Sequence, residues 1–381
     1  MFFLIYLITI FIFILLSIDL IRIITPESKL DIKPIKYKKN ISEIEFIFKI
    51  LNYSNKKESM VPNLDIKLDY VDNNELVNIE HNKEIIIDDA NILENFKSYW
   101  KTTIIKSNHF INVRVKLKLK EKLIENKTIW IKINWSNYGQ FGLVKKQNCF
   151  LLNKNNTNQI PSPGKLIKIP INKSYIALAI KTDLLGIFDD PVKTISAYCR
   201  DIIKKGDILV IGETPLAIMQ GRYINPVNIK YSIYSKILCS FFHPTSSLAT
   251  ACGMQLLINK IGVTRIVLAL FLGLLFKIIG IKGIFYRLTS QESSLIDDIS
   301  GTTFPYDKSI VMGPIKTNDF CKDVSKVLGI NVVVADVNDL GKVKILASSN
   351  KYSSRLLKNQ LMNNPAGNAD QKTPIVLIRK I

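Results

Sequence analysis

The chain has 381 residues, of which 47% are hydrophobic and 22% are charged, and its formal net charge at pH 7 is +20. This composition excludes a disordered chain and predicts two packed domains, with room for a third. The basic residues are spread along the chain without an Arg-rich block or a nucleic-acid-binding motif. We therefore predict no nucleic-acid partner and attribute the charge to a general over-use of Lys, Ile and Asn, with phosphates or anionic lipid as the alternative explanation.

Cysteine and histidine usage limits the metal chemistry that the chain can perform. Its five cysteines form no CxxC pair and show no regular spacing, which excludes a disulfide framework and a zinc site. The cysteines are Cys149, Cys199, Cys239, Cys252 and Cys321, and the three histidines are His81, His109 and His243. A bound metal would therefore need oxygen ligands, which points to Mg²⁺ or Mn²⁺.

Residues 1–25 predict a transmembrane anchor. Phe2–Ile18 contains no charged residue, and about 20 apolar residues are enough to cross the hydrocarbon core of a bilayer. No basic residue precedes this stretch and no small-residue cleavage site ends it, so we favour an uncleaved anchor over a signal peptide. Basic residues from Arg22 to Lys39 follow it. They predict a single-pass membrane protein whose folded part faces the cytoplasm.

Residues 30–155 predict an antiparallel β-sandwich. Apolar and polar residues alternate from Phe110 to Lys120, and this period of two places one face on a core and the other in water. Similar stretches separated by polar clusters predict about seven short strands in all. We interpret Trp100, Trp130 and Trp135 as core or strand-face residues. Because the segment contains no catalytic constellation, we interpret it as a spacer or interaction module.

Residues 165–381 form the predicted second domain, joined to the first by the polar, proline-containing linker Asn153–Pro163. A helix capped by Asp189 or Asp190 opens it, because Pro191 suits the first helical position. The other predicted elements are a strand at 208–211, a turn at 212–215, a helix at 319–327, strands at 329–335 and 342–346, a helix at 351–362 and a strand at 374–378. The overall prediction is an α+β protein with a mixed α/β second domain.

The stretch Val263–Tyr286 is strongly apolar, but lysines and glycines interrupt it. Its longest uncharged part, Ile266–Phe276, is too short to cross a bilayer. We favour a helix buried in the protein. The alternatives are an interfacial helix whose lysines reach the headgroups and a second membrane span.

Three clusters of oxygen-bearing side chains stand out in the second domain: Asp297-Asp298, Asp336 to Asp339, and Asn368 with Asp370. Hard divalent cations take such ligands and bridge them to phosphates, and a strand end is where ligands approach an α/β sheet. Gly367, next to Asn368, would free backbone N–H groups for a phosphate. Turn formation by the same residue types is the alternative explanation.

Two segments, one at each end of this domain, have a distinctive sequence pattern. The first segment runs from Phe188-Asp189-Asp190 through the strand Gly206-Asp207-Ile208-Leu209-Val210-Ile211 to Gln220-Gly221-Arg222. The second is the ending Gly367-Asn368-Ala369-Asp370-Gln371-Lys372-Thr373-Pro374-Ile375-Val376-Leu377-Ile378-Arg379. Both segments resemble the γ-glutamyl ligase family that elongates the deazaflavin coenzyme F-420. Between them, Gly329–Asn338 is similar to the family's strand end, and Asp298-Ile299-Ser300 is similar to its Asp-x-Ser metal motif.

The resemblance implies a specific chemistry and specific site residues. Family members use GTP and a divalent metal, Mg²⁺ or Mn²⁺, to activate a carboxylate as an acyl phosphate that the amine of glutamate attacks, and they tend to form homodimers. Carried over to this chain, the metal ligands are Asp298, Asp336 and Asn368. The residues near the nucleotide are Glu213, Thr214, Gly367, Asn368, Ala369 and Asp370. No individual catalytic residue is implied beyond these.

The chain also departs from the family pattern at two positions. Ile218 stands where the family has Lys, and Val337 stands where it has a hydroxyl residue. A further Gly-Arg-x-x-Arg segment is replaced by Asp339–Lys342, which contains no Arg. Two hypotheses follow: a metal- and nucleotide-dependent ligase, or a non-catalytic membrane-anchored binding or scaffold module with the ligase fold. A third, a lipid-surface protein, would act through Ile266–Tyr286.

Overall fold

The computed structural model describes residues 29–381 except 56, 90–91, 97–99, 124–126, 140–141, 154–164, 245, 282, 290, 300–301, 338–342, 351–353 and 368–370, and a few single positions before residue 29. Most of the predicted anchor, residues 1–25, and most of the predicted linker therefore lie outside the described residues. In the part of the chain that is described, no single helix is long and apolar enough to cross a membrane.

Ten described strands form the first domain. They are β1 (Leu30–Lys39), β2 (Glu43–Asn52), β3 (Ser59–Asp72), β4 (Glu75–Ile79), β5 (His81–Asp89), β6 (Ile92–Phe96), β7 (Thr103–Ile105), β8 (Phe110–Leu119), β9 (Thr128–Gly139) and β10 (Gly142–Leu152). One antiparallel sheet has the order β1-β2-β8-β5-β6, and the other has the order β10-β9-β3-β4 with β7 paired to β3. The predicted antiparallel sandwich is confirmed, although it contains more strands than the seven expected.

The sandwich core follows from the alternation in β2 and β8. Phe46 pairs with Val115 and Phe48 pairs with Val113 across the two strands, and all four side chains are fully buried. The period of two therefore aligns the apolar side chains of neighbouring strands on the same face of the sheet. Each large apolar side chain that this face removes from water contributes about 1.5–3 kcal/mol to folding.

The three tryptophans are buried, as predicted. Trp100 donates its Nε1–H to the carbonyl of Val61 at 2.6 Å, and Trp135 donates to Asn148 Oδ1 at 2.8 Å. Both therefore satisfy their one polar group inside the sandwich. Trp130 packs instead in a separate apolar cluster that joins the two domains.

The second domain contains eight strands and eight α-helices among its described residues. In chain order they are β11 (Leu166–Asn172), β12 (Tyr175–Ile180), α1 (Pro191–Cys199), β13 (Ile208–Gly212), α2 (Glu213–Met219), β14 (Tyr223–Ile224), α3 (Ile233–Cys239), α4 (Ala251–Ile261), α5 (Val263–Ile278), α6 (Ile284–Thr289), β15 (Ile310–Val311), α7 (Thr317–Leu328), β16 (Asn331–Val337), β17 (Val343–Ser348), α8 (Ser354–Leu361) and β18 (Ile375–Lys380).

A six-stranded mixed sheet, β11-β12-β18-β13-β16-β17, organises this domain. Only β13 and β16 pair in parallel, and the other neighbours are antiparallel. Leu209 and Ile211 belong to a core that α1 and α7 cover. Ile208 and Val210 belong to the core on the opposite face, beneath α8. The apolar run of β13 is continuous because helices cover both of its faces.

The start of this domain shows one prediction confirmed and one corrected. Asp190 caps α1, since its carboxylate accepts from the Lys193 N–H at 2.8 Å, and Pro191 occupies the first turn. The turn predicted at 212–215 is wrong, because α2 begins at Glu213. Pro at the third helical position lacks an N–H that would be unpaired in the first turn anyway, so it permits this helix.

An insert of four helices, α3 to α6, separates β14 from β15 and has its own apolar core. The buried helix that we favoured for the stretch from Val263 is wrong: in α5 only Ile266 and Ala269 are buried. One face of α5 packs on its neighbours, with Gly273 close to Phe285 of α6. The other face is covered by no described residue, although it is just as apolar.

The two domains share an apolar cluster that contains Trp130 and Leu151 from the sandwich and Leu184, Ile218 and Tyr306 from the second domain. The rings of Trp130 and Tyr306 meet edge to face with centroids 5.1 Å apart. Aromatic pairs of this kind contribute about 0.5–1.5 kcal/mol beyond the area that they bury. The sandwich is therefore packed against the second domain along this cluster.

Candidate functional site

A cavity of about 380 Å³ opens at one edge of the mixed sheet. Strands β12, β13 and β16 end at this edge, and β18 begins there, so the residues that follow or precede these strands line the cavity. The carboxyl ends of neighbouring strands are the usual place for a ligand in an α/β sheet. The volume of the cavity lies in the range of small-molecule sites.

Four acidic residues line this cavity: Asp183, Glu213, Asp297 and Asp336. Asp183 follows β12, and the other three are linked by the effect of their charges on one another's pKa values. Glu213 follows β13 and begins α2, whereas Asp336 lies near the end of β16. Asp297 comes from the segment between the helical insert and β15, where it forms a β-bridge with Val311. Glu213, Asp297 and Asp336 thus reach one edge of the sheet from three distant parts of the chain, and we call these three residues the acidic cluster.

Glu213 is the most buried member of the acidic cluster, with 7% of its surface exposed. Its buried Oε2 atom has no hydrogen-bond partner among the described residues. Burial, together with the charges of Asp336 and Asp297, raises the pKa of Glu213 to about 9. The side chain is therefore protonated at neutral pH, and its O–H can donate a hydrogen bond into the cavity.

The other two members of the acidic cluster are shifted in the same direction. Burial and the charge of Asp336 raise the pKa of Asp297 to about 6, although the Thr214 hydroxyl donates to its Oδ2 at 2.7 Å. Burial also raises the pKa of Asp336, and the charge of Lys344 opposes this effect. Clustered, buried carboxyl groups with raised pKa values are typical of functional sites, because a bound ligand can supply the missing positive charge.

Two lysines lie beside the acidic cluster. Lys344 faces Asp336 across β16 and β17, and its ammonium group lies close to the Ser294 hydroxyl. Lys372 lines the cavity from the segment before β18, and its carbonyl accepts from the Thr182 N–H at 2.9 Å. The cavity is therefore lined by acidic residues near the strand ends and by a lysine from the segment before β18.

The predicted nucleotide-contacting residues are distributed as follows. Glu213, Thr214 and Gly367 line the cavity. Gly367 adopts a φ of +66°, which an L side chain rarely accepts. Asn368, Ala369 and Asp370 lie outside the described residues. The structure therefore brings the described part of the predicted set to one cavity, and the roles of these residues stay predictions.

The predicted metal ligands are only partly brought together. Asp336 lines the cavity, Asp298 does not, and Asn368 lies outside the described residues. Asp298 instead accepts from the N–H of Ile299 at 2.8 Å, and its charge acts on Cys252 of α4. The neighbouring Asp297 takes the place on the cavity. The one-residue shift arises because the β-bridge to Val311 directs the Asp297 side chain inward.

The sequence interpretation also missed cavity residues that carry no recognisable motif. Lys372 lies within the ending Gly367–Arg379, but no motif marks it as a ligand-contacting residue. The segment from Thr182 to Leu185, which follows β12, forms another part of the wall. Only the end of a predicted strand could have indicated it, since its residues are ordinary loop residues.

Across the described residues, no group of three or more His, Cys, Asp or Glu side chains lies close enough to hold a metal ion alone. The acidic cluster still fits a hard cation in part. Asp297 and Asp336 line the same cavity, and the charge of Asp336 raises the pKa of Asp297, so a cation bound between them would be attracted to both. Mg²⁺ is usually held by one or two carboxylates plus substrate phosphates, so a cage of three protein ligands is not required.

Comparison with protein families gives a match in the sandwich domain. Residues 29–156 match the N-terminal Ig-like domain of F420-0:gamma-glutamyl ligase. This match covers about a third of the chain and supports the resemblance at the level of that one domain. The Ig-like domain is also the part that packs against the cavity wall, through Trp130 and Tyr306.

Other comparisons add no functional information. No curated protein matches the chain. Among solved structures, the FixG-related protein from Vibrio parahaemolyticus is 11% identical, with a TM-score of 0.19, and the match covers 32% of this chain and 94% of that one. The GAE domain of GGA2p from Saccharomyces cerevisiae is 13% identical, with a TM-score of 0.19, and the match covers 34% and 96%. TM-scores this low support no argument about the Ig-like domain.

Proposed function

We propose that this chain is a metal- and nucleotide-dependent ligase that forms an amide bond between glutamate and a carboxylate acceptor. The observation that carries the proposal is the acidic cluster around the cavity, at the carboxyl end of the parallel pair β13 and β16. The resemblance at both ends of the second domain and the Ig-like domain match support the same chemistry. A γ-glutamyl ligase needs a site for phosphates, a cation and two small carboxylates, and a cavity of this size and polarity is suited to them.

Asp297 and Asp336 are the proposed protein ligands of the cation. They are aspartates beside the cavity, and Mg²⁺ or Mn²⁺ bound between them and the nucleotide phosphates would complete its coordination with phosphate oxygens and water. The bound cation would offset charge on the phosphoryl group that is transferred. Lys372 lines the same cavity, and we assign it to the phosphates as a point charge.

Glu213 has a different proposed role, because its pKa is raised to about 9. A carboxylate beside the nucleotide would repel the phosphates. A protonated carboxyl group can instead donate a hydrogen bond to a phosphate oxygen or to the acceptor carboxylate. We therefore assign Glu213 to positioning a bound anion rather than to holding the cation.

A second candidate function is a non-catalytic module that binds a ligand in the same cavity. Ile218 and Val337 favour it, because both line the cavity with apolar side chains where the resembling family has Lys and a hydroxyl residue. In this alternative, nucleotide or metal would bind without turnover. In both cases the amino-terminal segment is proposed to hold the protein at a membrane.

The first test is calorimetric titration of the full chain with GTP and with ATP, each with and without Mn²⁺. We expect metal-dependent binding of at least one nucleotide. Asp297→Asn should abolish the metal dependence, whereas Asp298→Asn is the matched control, since only Asp297 lines the cavity. The reverse pattern would move the metal site to Asp298, and no binding by folded protein would contradict the proposal.

The second test separates the ligase from the non-catalytic module. Nucleotide hydrolysis is measured with glutamate and a panel of small carboxylates, and amide products are identified by mass spectrometry. Formation of an amide that Asp336→Asn abolishes would support the ligase. Metal-dependent nucleotide binding without hydrolysis or product would leave the binding module as the function.

A further inference from the structure

The exposed face of α5 is an apolar stripe on the helical insert. Val267, Phe271, Leu274 and Ile278 recur at the spacing of one helix face, and between 46% and 83% of the surface of each side chain is exposed. Leu268 and Leu275 widen the stripe, with 62% and 45% exposed. An apolar face of this length is rarely left in contact with water, so it indicates a surface that binds a membrane or another protein.

The insert has a charge pattern that identifies the partner. From Thr214 to Gln291 the sequence contains no Asp or Glu, but it contains eight Lys or Arg residues. Arg265 and Lys277 are exposed near the two ends of the stripe. They are 12 positions apart, about 18 Å along a helix. A partner that meets both the stripe and these cations must be apolar in its interior and negatively charged at its surface.

We propose that α5 lies in the surface of an anionic phospholipid bilayer, with its apolar stripe among the acyl chains and its flanking cations among the phosphate headgroups. Lys and Arg at the ends of an interfacial helix extend their charged groups to the headgroups, and each contributes electrostatic attraction to anionic lipid. A second protein copy would also cover the stripe, but a surface that is cationic throughout would repel its own copy.

The geometry of the helices fits insertion into one leaflet better than a membrane span. Helix α5 has 16 residues, about 24 Å in length, which is shorter than the hydrocarbon core. Helices α4 and α5 together would be long enough, but they meet at an angle of 111°. The bend falls at Gly262, whose φ is +82°. Helix α4 stays in the protein core of the insert, with Met254 and Leu257 buried.

The inference places the helical insert, as well as the predicted amino-terminal anchor, at a membrane. It does not depend on the proposed ligase function, because none of the described residues from α3 to α6 lines the cavity. A test must also distinguish the stripe from the amino-terminal segment, which would by itself bring the whole protein to vesicles.

The experiment is depth-dependent fluorescence quenching with the full chain reconstituted in vesicles. A tryptophan is introduced by Leu274→Trp, in the centre of the stripe, and the matched control is Leu143→Trp, which lies on β10 with 52% of its surface exposed. The emission of the unsubstituted protein, whose three tryptophans are buried in or beside the sandwich, is subtracted. Vesicles contain phosphatidylcholine with or without phosphatidylserine, and the acyl chains carry bromine.

We expect the added emission of Leu274→Trp to lose most of its intensity in brominated anionic vesicles, with less loss in vesicles of phosphatidylcholine alone. Leu143→Trp should be unaffected in both. Adding Lys277→Glu to Leu274→Trp should reduce the loss in anionic vesicles. Equal quenching at both positions, or blue-shifted emission from Leu274→Trp without quenching, would overturn the proposal, because the second result means that protein covers the stripe.

Discussion

The strand β13 has a buried carboxyl group at each end, and the two ends differ in how its charge is compensated. At the amino end, Asp207 is 3% exposed and accepts from Arg379 Nε at 2.9 Å and from Nη2 at 2.7 Å. The Lys204 N–H also donates to it at 2.8 Å. At the carboxyl end, Glu213 Oε2 has no hydrogen-bond partner among the described residues and has acidic neighbours.

The difference separates a structural acid from a candidate functional one. A buried carboxylate with a bidentate Arg partner and backbone donors has its charge balanced by the fold. A buried carboxyl group surrounded by like charges has a strongly raised pKa and is stabilised by whatever cation or proton reaches it. Asp207 and Glu213 are buried to a similar extent, so their exposed fractions alone do not distinguish them.

The largest expected effect comes from removing the ion pair between Arg379 and Asp207 at the amino end of β13. Arg379→Ala should lower the free energy of unfolding by about 4 kcal/mol, because Asp207 would stay buried without its partner. Chemical denaturation at neutral pH measures the change. Arg287→Ala, on the helical insert, serves as the control for loss of a surface Arg. A loss of less than about 1 kcal/mol for Arg379→Ala would mean that the pair is not more stabilising than an exposed one.

The contribution of Glu213, at the carboxyl end of β13, to the stability of the protein should depend on pH. Because the folded-state pKa of Glu213 is about 9 and its ordinary value is 4.5, the folded protein binds more protons than the unfolded chain between these values. Its contribution to stability is fully present below pH 4.5 and is lost as the pH rises towards 9. Glu213→Gln removes this loss, so the variant should be more stable than the unsubstituted protein at pH 9.

Denaturation curves at a series of pH values, in buffer with EDTA, measure the effect of Glu213→Gln. At pH 5 the two proteins should have nearly equal stability, because Glu213 is then protonated and resembles Gln in charge. A constant difference between the two proteins at every pH would contradict the pKa shift and indicate a packing effect instead.

Bound cation should stabilise the protein through the acidic cluster at the carboxyl end of β13 and not through Asp207 at its amino end. At a free Mn²⁺ concentration about tenfold above the dissociation constant, the unsubstituted protein should gain about 1.4 kcal/mol. Thermal unfolding with and without Mn²⁺ measures this gain, and Asp336→Asn should reduce it. Asp207→Asn, after correction for its lower starting stability, should keep it. An equal gain in both variants would place the cation elsewhere.

The smallest expected effect concerns a buried hydroxyl group beneath the cavity. Tyr306 is 1% exposed, and its O–H donates to the carbonyl of Leu185 at 3.0 Å. Tyr306→Phe leaves that carbonyl without this donor and should cost about 1 kcal/mol. Tyr138→Phe, at a side chain that is half exposed, is the matched control and should cost nothing measurable. Equal stability of both variants would show that water replaces the lost donor.

The sequence predicted those parts of the fold in which local pattern and tertiary position agree. Alternation in β8 located a sandwich face, and Asp190 with Pro191 located the start of α1. The exposure of α5 could not be predicted, because both of its faces are apolar and periodicity does not identify the face that meets protein. The start of α2 was missed because Gly-x-x-Pro is as typical of a turn as of a helix start.

The candidate site was predictable to the level of the segment but not of the atom. Acidic residues near the end of β16 and beside β15 were expected to matter, and Asp336 does line the cavity. The choice between Asp297 and Asp298 depends on a bridge to Val311, which is a tertiary contact. Asp207 and Glu213 could not be distinguished either, since the partner that balances Asp207 follows it by 172 positions.

The contact between Trp130 and Tyr306 has a consequence for how the protein comes apart. Tyr306 touches the Ig-like domain through Trp130 and the cavity wall through Leu185. Separating the domains would uncover an apolar cluster that both contribute. Two domains joined in this way lose their independence, and heating should melt them in a single cooperative transition. The two domains thus differ in sequence and topology, but they are expected to unfold as one cooperative unit.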